Sequence, residues 1–360
     1  MKYDIRENER FKLLASDNYN YRFDKRSGLF IRWGKTLEDD PSMAPGPEIM
    51  DLEISTVCHG PGKPCRFCYK ANTAKGEQMS FATFRALFDK MPKTLTQVAF
   101  GIGDVYGHDD MWLMFDYARQ NGVIPNITIN GWGLTDEIAD RLVKVMGAVS
   151  VSRYDPKDTC YDAVKMLTDR GMKQVNIHQV VSEDTYESCL EVLADRETDP
   201  RLAKLNAVVF LMLKPKGRAD QGMARISDVH YREIVEKAQC QPYMVGFDSC
   251  SAPSFTHTLI GKPGAEAITM MVDPCESGLF SIYANVHGDV YPCSFTEGTL
   301  GWEQGISILD AEDFESGIWN HPRMDQWRAR LLGSSAGCGS CSLAPTCRSC
   351  PVYEVDTCKR

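Results

Sequence analysis

Two rhythms of apolar residues alternate between positions 49 and 250. Short apolar runs at 97–101, 126–130, 148–152, 175–181, 207–213 and 243–247 read as buried strands, and amphipathic stretches at 81–90, 110–121, 136–146, 161–170, 186–194 and 228–238 read as helices. Thr135 stands where a helix cap is expected. Apolar strands separated by amphipathic helices mean parallel strands with right-handed crossovers. With 49–56 as the first strand there are about seven, fewer than the eight of a closed barrel. The expected fold class is therefore α/β: a partial (β/α)6-7 TIM-like barrel, with its chemistry at the C-terminal ends of the strands.

The rhythm changes at both ends. Upstream, YNYRFDKRSGLFIRWG alternates around a turn at 24–28, a hairpin signature. Downstream, CESGLFSIYANVHGDVYPC is two alternating strands around His287-Gly288-Asp289, a second hairpin with a cysteine at each outer end. The expected organisation is an N-terminal hairpin extension over 1–48, a barrel over 49–250 and a small cysteine-rich domain over 251–360.

Composition changes this picture in one respect. With 43% hydrophobic and 25% charged residues the chain is an ordinary globular one, and no apolar run approaches the roughly 20 residues of a membrane span. The opening MKYDIRENER lacks the apolar core of a signal peptide, so the expected location is the cytoplasm, or a host's cytoplasm if the protein is viral. Fourteen cysteines in a reducing compartment point to metal ligation rather than disulfides. A net charge of -9 disfavours extended nucleic-acid binding unless a local patch such as Lys214, Lys216 and Arg218 reverses the field.

The loop after the first strand, in DLEISTVCHGPGKPCRFCYK, carries Cys58, Cys65 and Cys68. Three thiolates hold three irons of a 4Fe-4S cluster and leave the fourth open to a small molecule, against which Phe67 is placed to pack. Zinc or buried thiols are the competing reading. The loop resembles the signature of the radical SAM superfamily, three cysteines ending in Cys-x-aromatic-Cys. It departs in its first spacer: six residues separate Cys58 from Cys65 where three are usual, so HGPGKP reads as a Gly/Pro-rich insertion.

The resemblance implies roles at the other strand ends. Gly101, Gly103 and Asp104, in FGIGD, resemble the glycine-rich motif that holds the ammonium of S-adenosyl-L-methionine (SAM), with Ile102 replacing one glycine and Asp104 the glutamate. Asn130 is implied to face the ribose, and Ser152 and Arg153 the SAM carboxylate and sugar. Lys214 or Arg218 in LKPKGRA is placed to meet a substrate carboxylate or phosphate. Cys250, after the seventh strand, is a candidate catalytic thiol that returns a hydrogen atom to a substrate radical, or else completes a cluster; as a small packed hydrophobe it is inert.

Seven further cysteines match the SPASM domain, the auxiliary-cluster extension of many radical SAM enzymes. Twelve residues separate Cys275 from Gly288 and four separate Gly288 from Cys293; Cys338, Cys341, Cys347, Cys350 and Cys358 follow. Only Cys347 to Cys350 departs from the pattern, with two residues for three. By position, Cys338, Cys341, Cys347 and Cys358 are implied to ligate one auxiliary 4Fe-4S cluster, and Cys275, Cys293 and Cys350 another. The latter lacks an obvious fourth ligand, since Ser281 stands near where some members have a cysteine; an open iron and Cys250 are the alternatives. Zinc competes here too, but seven ligands do not divide into tetrahedral sets.

The implied chemistry is reductive cleavage of SAM to a 5'-deoxyadenosyl radical that abstracts hydrogen from an amino-acid-type carbon, with flavodoxin or ferredoxin as reductant. The favoured substrate reading is an isomerase that moves a glycyl group from nitrogen-linked to carbon-linked on a hypermodified thymidine of viral DNA. The alternative is a maturase that cross-links, oxidises or forms thioethers in a ribosomal peptide or protein side chain. A third reading, from another class, is a non-catalytic iron-sulfur or zinc-binding protein.

Overall fold

The computed structural model describes residues 2–60, 65–220, 222–333, 341 and 346–353. Its N-terminal part is larger than one hairpin. Strands β1 (Asp4–Glu7), β2 (Phe11–Ala15), β3 (Asn20–Asp24) and β4 (Phe30–Trp33) form an antiparallel meander, of which the expected hairpin is the second half. Leu14, Tyr21 and Phe23 are fully buried beneath it, each contributing about 2 kcal/mol relative to exposure. Tyr21 Oη donates to Thr94 O (2.9 Å) and Lys12 Nζ to Leu95 O (2.7 Å). Both acceptors precede a barrel strand, so the meander closes the bottom of the barrel.

The barrel has seven parallel strands: β5 (Ile49–Glu53), β6 (Gln97–Gly101), β7 (Ile124–Ile129), β8 (Val149–Ser152), β9 (Val175–Val181), β10 (Ala207–Met212) and β11 (Met244–Phe247). Helices α1 (Phe81–Phe88), α2 (Met111–Gln120), α3 (Asp136–Val145), α4 (Asp158–Asp169), α5 (Tyr186–Thr198) and α6 (Asp228–Gln239) cross between them. Ser80, Thr135 and Ser227 start α1, α3 and α6 by accepting hydrogen bonds from backbone N–H groups of the first turn. Strand side chains alternate between the two faces. Leu52, Phe100, Ile127 and Val149 form one register row, buried against the helices. The next row, Glu53, Gly101 and Thr128, faces inward. Small inward residues such as Ala99, Gly101 and Ser152 leave the interior hollow.

The cysteine-bearing hairpin is part of the same sheet. Strand β12 (Ser281–Ala284) pairs in parallel with β5, Leu52 opposite Ala284, and β13 (Asp289–Tyr291) and β14 (Ile306–Ser307) extend the edge, giving the order β11-β10-β9-β8-β7-β6-β5-β12-β13-β14. Gly288 takes φ +83 at the hairpin turn, a conformation that favours glycine. Helices α7 (Ala252–Leu259), α8 (Ala265–Thr269) and α9 (Pro322–Leu332) pack beyond the barrel. Among the described residues no helix is long and apolar enough to cross a membrane.

Candidate functional site

The loop that follows β5 is folded back over the strand ends. Ile54 N donates to Gly101 O (3.0 Å) and Cys58 N to Thr73 O (2.9 Å). Cys58, Cys65 and Cys68 thereby line the mouth of the hollow interior, a cavity of about 450 Å³, within the range of small-molecule sites. Burial pushes the Cys58 thiol up to about 11 and also raises Cys65. Such thiols ionise readily only when a metal replaces the proton.

Of the expected SAM contacts, Phe67, Gly101, Gly103, Asn130, Ser152 and Arg153 line this cavity. Asp104 does not. Its Oδ2 accepts from the His59 backbone N–H (2.7 Å) and lies 2.7 Å from His59 Nδ1, while its Oδ1 accepts from Asn130 Nδ2 (3.1 Å). The carboxylate is thus committed to holding the cysteine loop against β7. Gly103 supports the same contact: a Cβ there would lie 2.2 Å from Val57 O and 2.4 Å from Cys58 Cβ. Phe67 stacks on Tyr154 at 5.3 Å, and Tyr69, on the other side of Cys68, packs on Phe295 at 4.5 Å. Tyr154 and Phe295 were not legible as site residues.

The run after β10 braces the cysteine loop, and its Lys214 and Arg218 also line the cavity. Arg218 Nε donates to Cys65 O (2.7 Å), Arg218 Nη1 to Asn72 O (3.0 Å), and Arg218 N to Cys68 O (3.0 Å). Lys216 Nζ donates to Ser294 O (2.7 Å), and burial lowers this ammonium to about 8. Lys214 is buried, donates to Asp248 Oδ2 (2.7 Å) and sits 4.6 Å above the Phe295 ring.

Two inward groups went unnoticed in the sequence. Lys70 Nζ bridges Glu53 (3.1 Å) and Tyr283 Oη (2.7 Å), and also pairs with Glu297, tying the cysteine loop to β12. Asp51 is exposed to the cavity rather than packed, and desolvation by the surrounding barrel wall raises its carboxyl to about 6. Period-2 alternation on β5 marks both Asp51 and Glu53 as inward once one face is known to be core.

Two buried atoms on the cavity wall lack partners among the described residues: Arg153 Nε, a donor, and Asn72 Oδ1, an acceptor. The remaining Arg153 nitrogens are occupied by Gln179 (3.5 Å), Asp155 (3.5 Å) and Glu191. Buried polar atoms are nearly always paired, so such a donor and acceptor facing one cavity fit a polar ligand.

Of the second cysteine set, Cys338 and Cys358 lie outside the described residues. Cys341 is exposed and Cys347 partly buried. Cys275, at the base of the hairpin, is buried, and Cys350 Sγ accepts from Tyr353 N (3.4 Å). Cys250 does not itself line the central cavity, although its neighbours Asp248 and Lys214 do. Among the described residues no three Cys, His, Asp or Glu side chains are grouped closely enough for a single metal ion. A cubane spreads its ligand sulfurs over four irons, wider than one zinc ion requires.

An open barrel with three thiols on the loop after its first strand, joined to a cysteine-bearing hairpin, is the fold of radical SAM enzymes that carry a SPASM-type extension. No protein-family model matches the chain. It is 23% identical over 324 residues, 84% of this chain and 77% of the relative, to mycofactocin maturase MftC of Mycolicibacterium smegmatis. Its fold is similar to that of Streptococcus suis SuiB bound to S-adenosylmethionine (TM-score 0.67, 15% identity, 88% of this chain and 77% of that one). It is also similar to anSMEcpe with bound AdoMet and Cp18Cys peptide (TM-score 0.61, 14% identity, 86% and 91% covered). SuiB bound to its precursor peptide SuiA matches equally well, at TM-score 0.67 and 17% identity over 88% of this chain and 76% of that one. Nothing in these comparisons supports the thymidine-isomerase reading.

Proposed function

We propose that this enzyme matures a ribosomally made peptide, acting on the carbon of an amino-acid residue seated in the barrel. The observation that carries the reading is that one cavity is lined both by Cys58, Cys65 and Cys68 and by the unpaired Arg153 Nε and Asn72 Oδ1. The peptide class is supported by a relative that is a maturase and by neighbours whose structures contain peptides.

The donor set fits the cofactors: three thiols for an iron-sulfur cluster with one open iron, and a partnerless donor and acceptor for SAM. When bound, a 4Fe-4S cluster and SAM supply a 5'-deoxyadenosyl radical that takes hydrogen from a substrate carbon. The protein's residues do the rest. Arg153 orients a carboxylate through Nε, and Asn72 Oδ1 takes an N–H. Asp104 and Arg218 hold the cysteine loop in place, so the reacting groups meet at fixed distance. Asp51 offers a carboxylate to a substrate N–H, and Phe67 and Tyr154 exclude water from one wall. We assign residues 49–250 to the barrel and 251–360 to the extension. Within the extension, Cys338, Cys341, Cys347 and Cys358 are the ligands of one auxiliary cluster, and Cys275, Cys293 and Cys350 belong to the other. Flavodoxin or ferredoxin is the reductant.

The test is anaerobic reconstitution with iron and sulfide, then SAM and dithionite, with mass spectrometry for 5'-deoxyadenosine and for mass loss or cross-linking in candidate precursor peptides. Nucleoside formation that is abolished in Cys58→Ala/Cys65→Ala and accompanied by peptide modification is the expected result. Turnover of glycyl-thymidine DNA with peptides untouched would overturn the peptide reading.

A further inference from the structure

The sequence leaves one auxiliary site with three thiols, and the fold brings a fourth to it. Cys250 lies just after β11, in the helical turn Ser249–Ser251, opened by Asp248, whose Oδ1 accepts from Ser251 N (3.1 Å). The same Asp248 holds Lys214 at 2.7 Å, and Lys214 lies over Phe295, two residues beyond Cys293. Phe295 in turn meets Tyr353: the rings are 6.5 Å apart, and Tyr353 Oη donates to Phe295 O (3.4 Å). Tyr353 N closes the circuit by donating to Cys350 Sγ (3.4 Å). Four segments that are remote in sequence, three of them carrying Cys250, Cys293 and Cys350, therefore converge around Phe295 and Lys214.

Cys250 lies within charge–charge reach of Asp248, Cys275, Cys293 and Lys214, and Cys293 within reach of Cys275 and Cys350. Asp248 is paired with Lys214, whose ammonium also lies beside Cys250 and offsets thiolate charge. A hydrogen atom donor would have to reach the substrate cavity, and Cys250 does not line it.

We propose that Cys250 is the fourth protein ligand of the auxiliary 4Fe-4S cluster held by Cys275, Cys293 and Cys350, so that this cluster has no open iron. The proposal rests on the auxiliary-cluster reading above. A closed cluster exchanges electrons with a substrate radical but does not bind substrate.

The full chain carrying Cys58→Ala/Cys65→Ala/Cys68→Ala, which removes the cluster with the open iron, is reconstituted anaerobically. Iron is then counted and dithionite-reduced EPR spectra are recorded with and without cyanide, a ligand for an open iron. The expected result is about eight irons per chain and a spectrum indifferent to cyanide. Adding Cys250→Ala should make one signal cyanide-sensitive or remove about half the iron, and Cys250→Ser should keep the iron with shifted g-values. Cyanide sensitivity with Cys250 intact overturns the proposal, whether or not the variants fold. So does a Cys250→Ala spectrum and iron content identical to the parent, with and without cyanide. Zinc in place of iron, or full iron in a Cys293→Ala variant, removes the auxiliary cluster itself and this proposal with it.

Discussion

Gly101 and Gly103 are two residues apart, and the structure gives them opposite tolerances. Neither has the positive φ that would strain an L-residue. At Gly101 a Cβ would lie 3.5 Å from Glu53 Cα and 3.7 Å from Leu52 O, ordinary contact. At Gly103 it would lie 2.2 Å from Val57 O, 2.4 Å from Cys58 Cβ and 2.9 Å from Cys58 Cα. Favourable contacts between carbons begin near 3.5 Å, so the Cys58 backbone must retreat by about 1 Å. Overpacking of this kind costs about 1–3 kcal/mol of stability, within reach of a chain this size. A shift of about 1 Å at a reacting centre costs about 100-fold in rate. Gly103→Ala should therefore retain its circular dichroism spectrum but lose iron, or lose about 100-fold in 5'-deoxyadenosine formation. Gly101→Ala should stay within about tenfold, under about 1.4 kcal/mol. Equal losses in both variants, or full activity in Gly103→Ala, would refute the reasoning, because only the methyl's collision with the Cys58 loop separates them.

Arg218→Lys should lose iron during desalting almost as readily as Arg218→Ala, because one ammonium cannot replace a guanidinium fork that holds Cys65 O and Asn72 O together; iron per chain after gel filtration reads this. Lys70→Met leaves Glu53 and Glu297 facing one another without their shared cation, and denaturant titration should register a loss of about 3 kcal/mol. For Asp51, desolvation lifts the carboxyl from 3.8 to about 6, so between those values the folded state binds more protons than the unfolded one. Stability is full below the lower value and falls as pH rises through the upper. Two units set a ceiling of about 3 kcal/mol, and the wet cavity reduces it to about 1 kcal/mol. Asp51→Asn should melt above the parent at pH 7 and with it at pH 4, while product formation falls; a lower melting point at pH 7 would contradict the assignment.

What could be read in advance followed from periodicity and from ligand spacing. The strands at 97–101 and 175–181 have the expected bounds, and Thr135 caps α3, because alternation and capping are local. The helix expected from 161 starts at Asp158, because Asp158 and Thr159 are polar and add nothing to an apolar stripe. The pairing of β12 with β5 joins residues some 230 positions apart and leaves no periodic trace. Strand β1 escaped notice because DIRE is mostly exposed, without the alternation that marks a half-buried strand. At the site, the cysteines were legible because thiolate ligands must be cysteines. Arg218 was legible as a candidate basic residue but not as a brace, since there it serves backbone carbonyls, which every residue possesses. Asp104 was legible as a carboxylate at a strand end, but its contacts to the loop were not, because such a carboxylate can turn toward ligand or loop alike.

The run from Lys214 to Arg218 explains how the two cysteine sets are held relative to one another. Arg218 and Gly217 press on the loop of Cys65 and Cys68: a Cβ at Gly217 would lie 2.4 Å from Tyr69 O, and its φ of +63 already favours glycine. Two residues earlier, Lys216 and Lys214 engage Ser294, Asp248 and Phe295, which flank Cys293 and Cys250. Five consecutive residues thus touch both sites, and they emerge from β10 in the same sheet that carries β5 and β12. Lys70, Tyr283 and Glu53 tie the cysteine loop to β12 from the opposite side. The substrate cavity lies between these two ties, bounded by Tyr69 and Phe295. On the function proposed above, a radical formed there would have a one-electron acceptor held at a distance set by the sheet. That rigidity suits oxidation of a substrate radical better than rearrangement, because rearrangement must prevent loss of the electron, and oxidation depends on it.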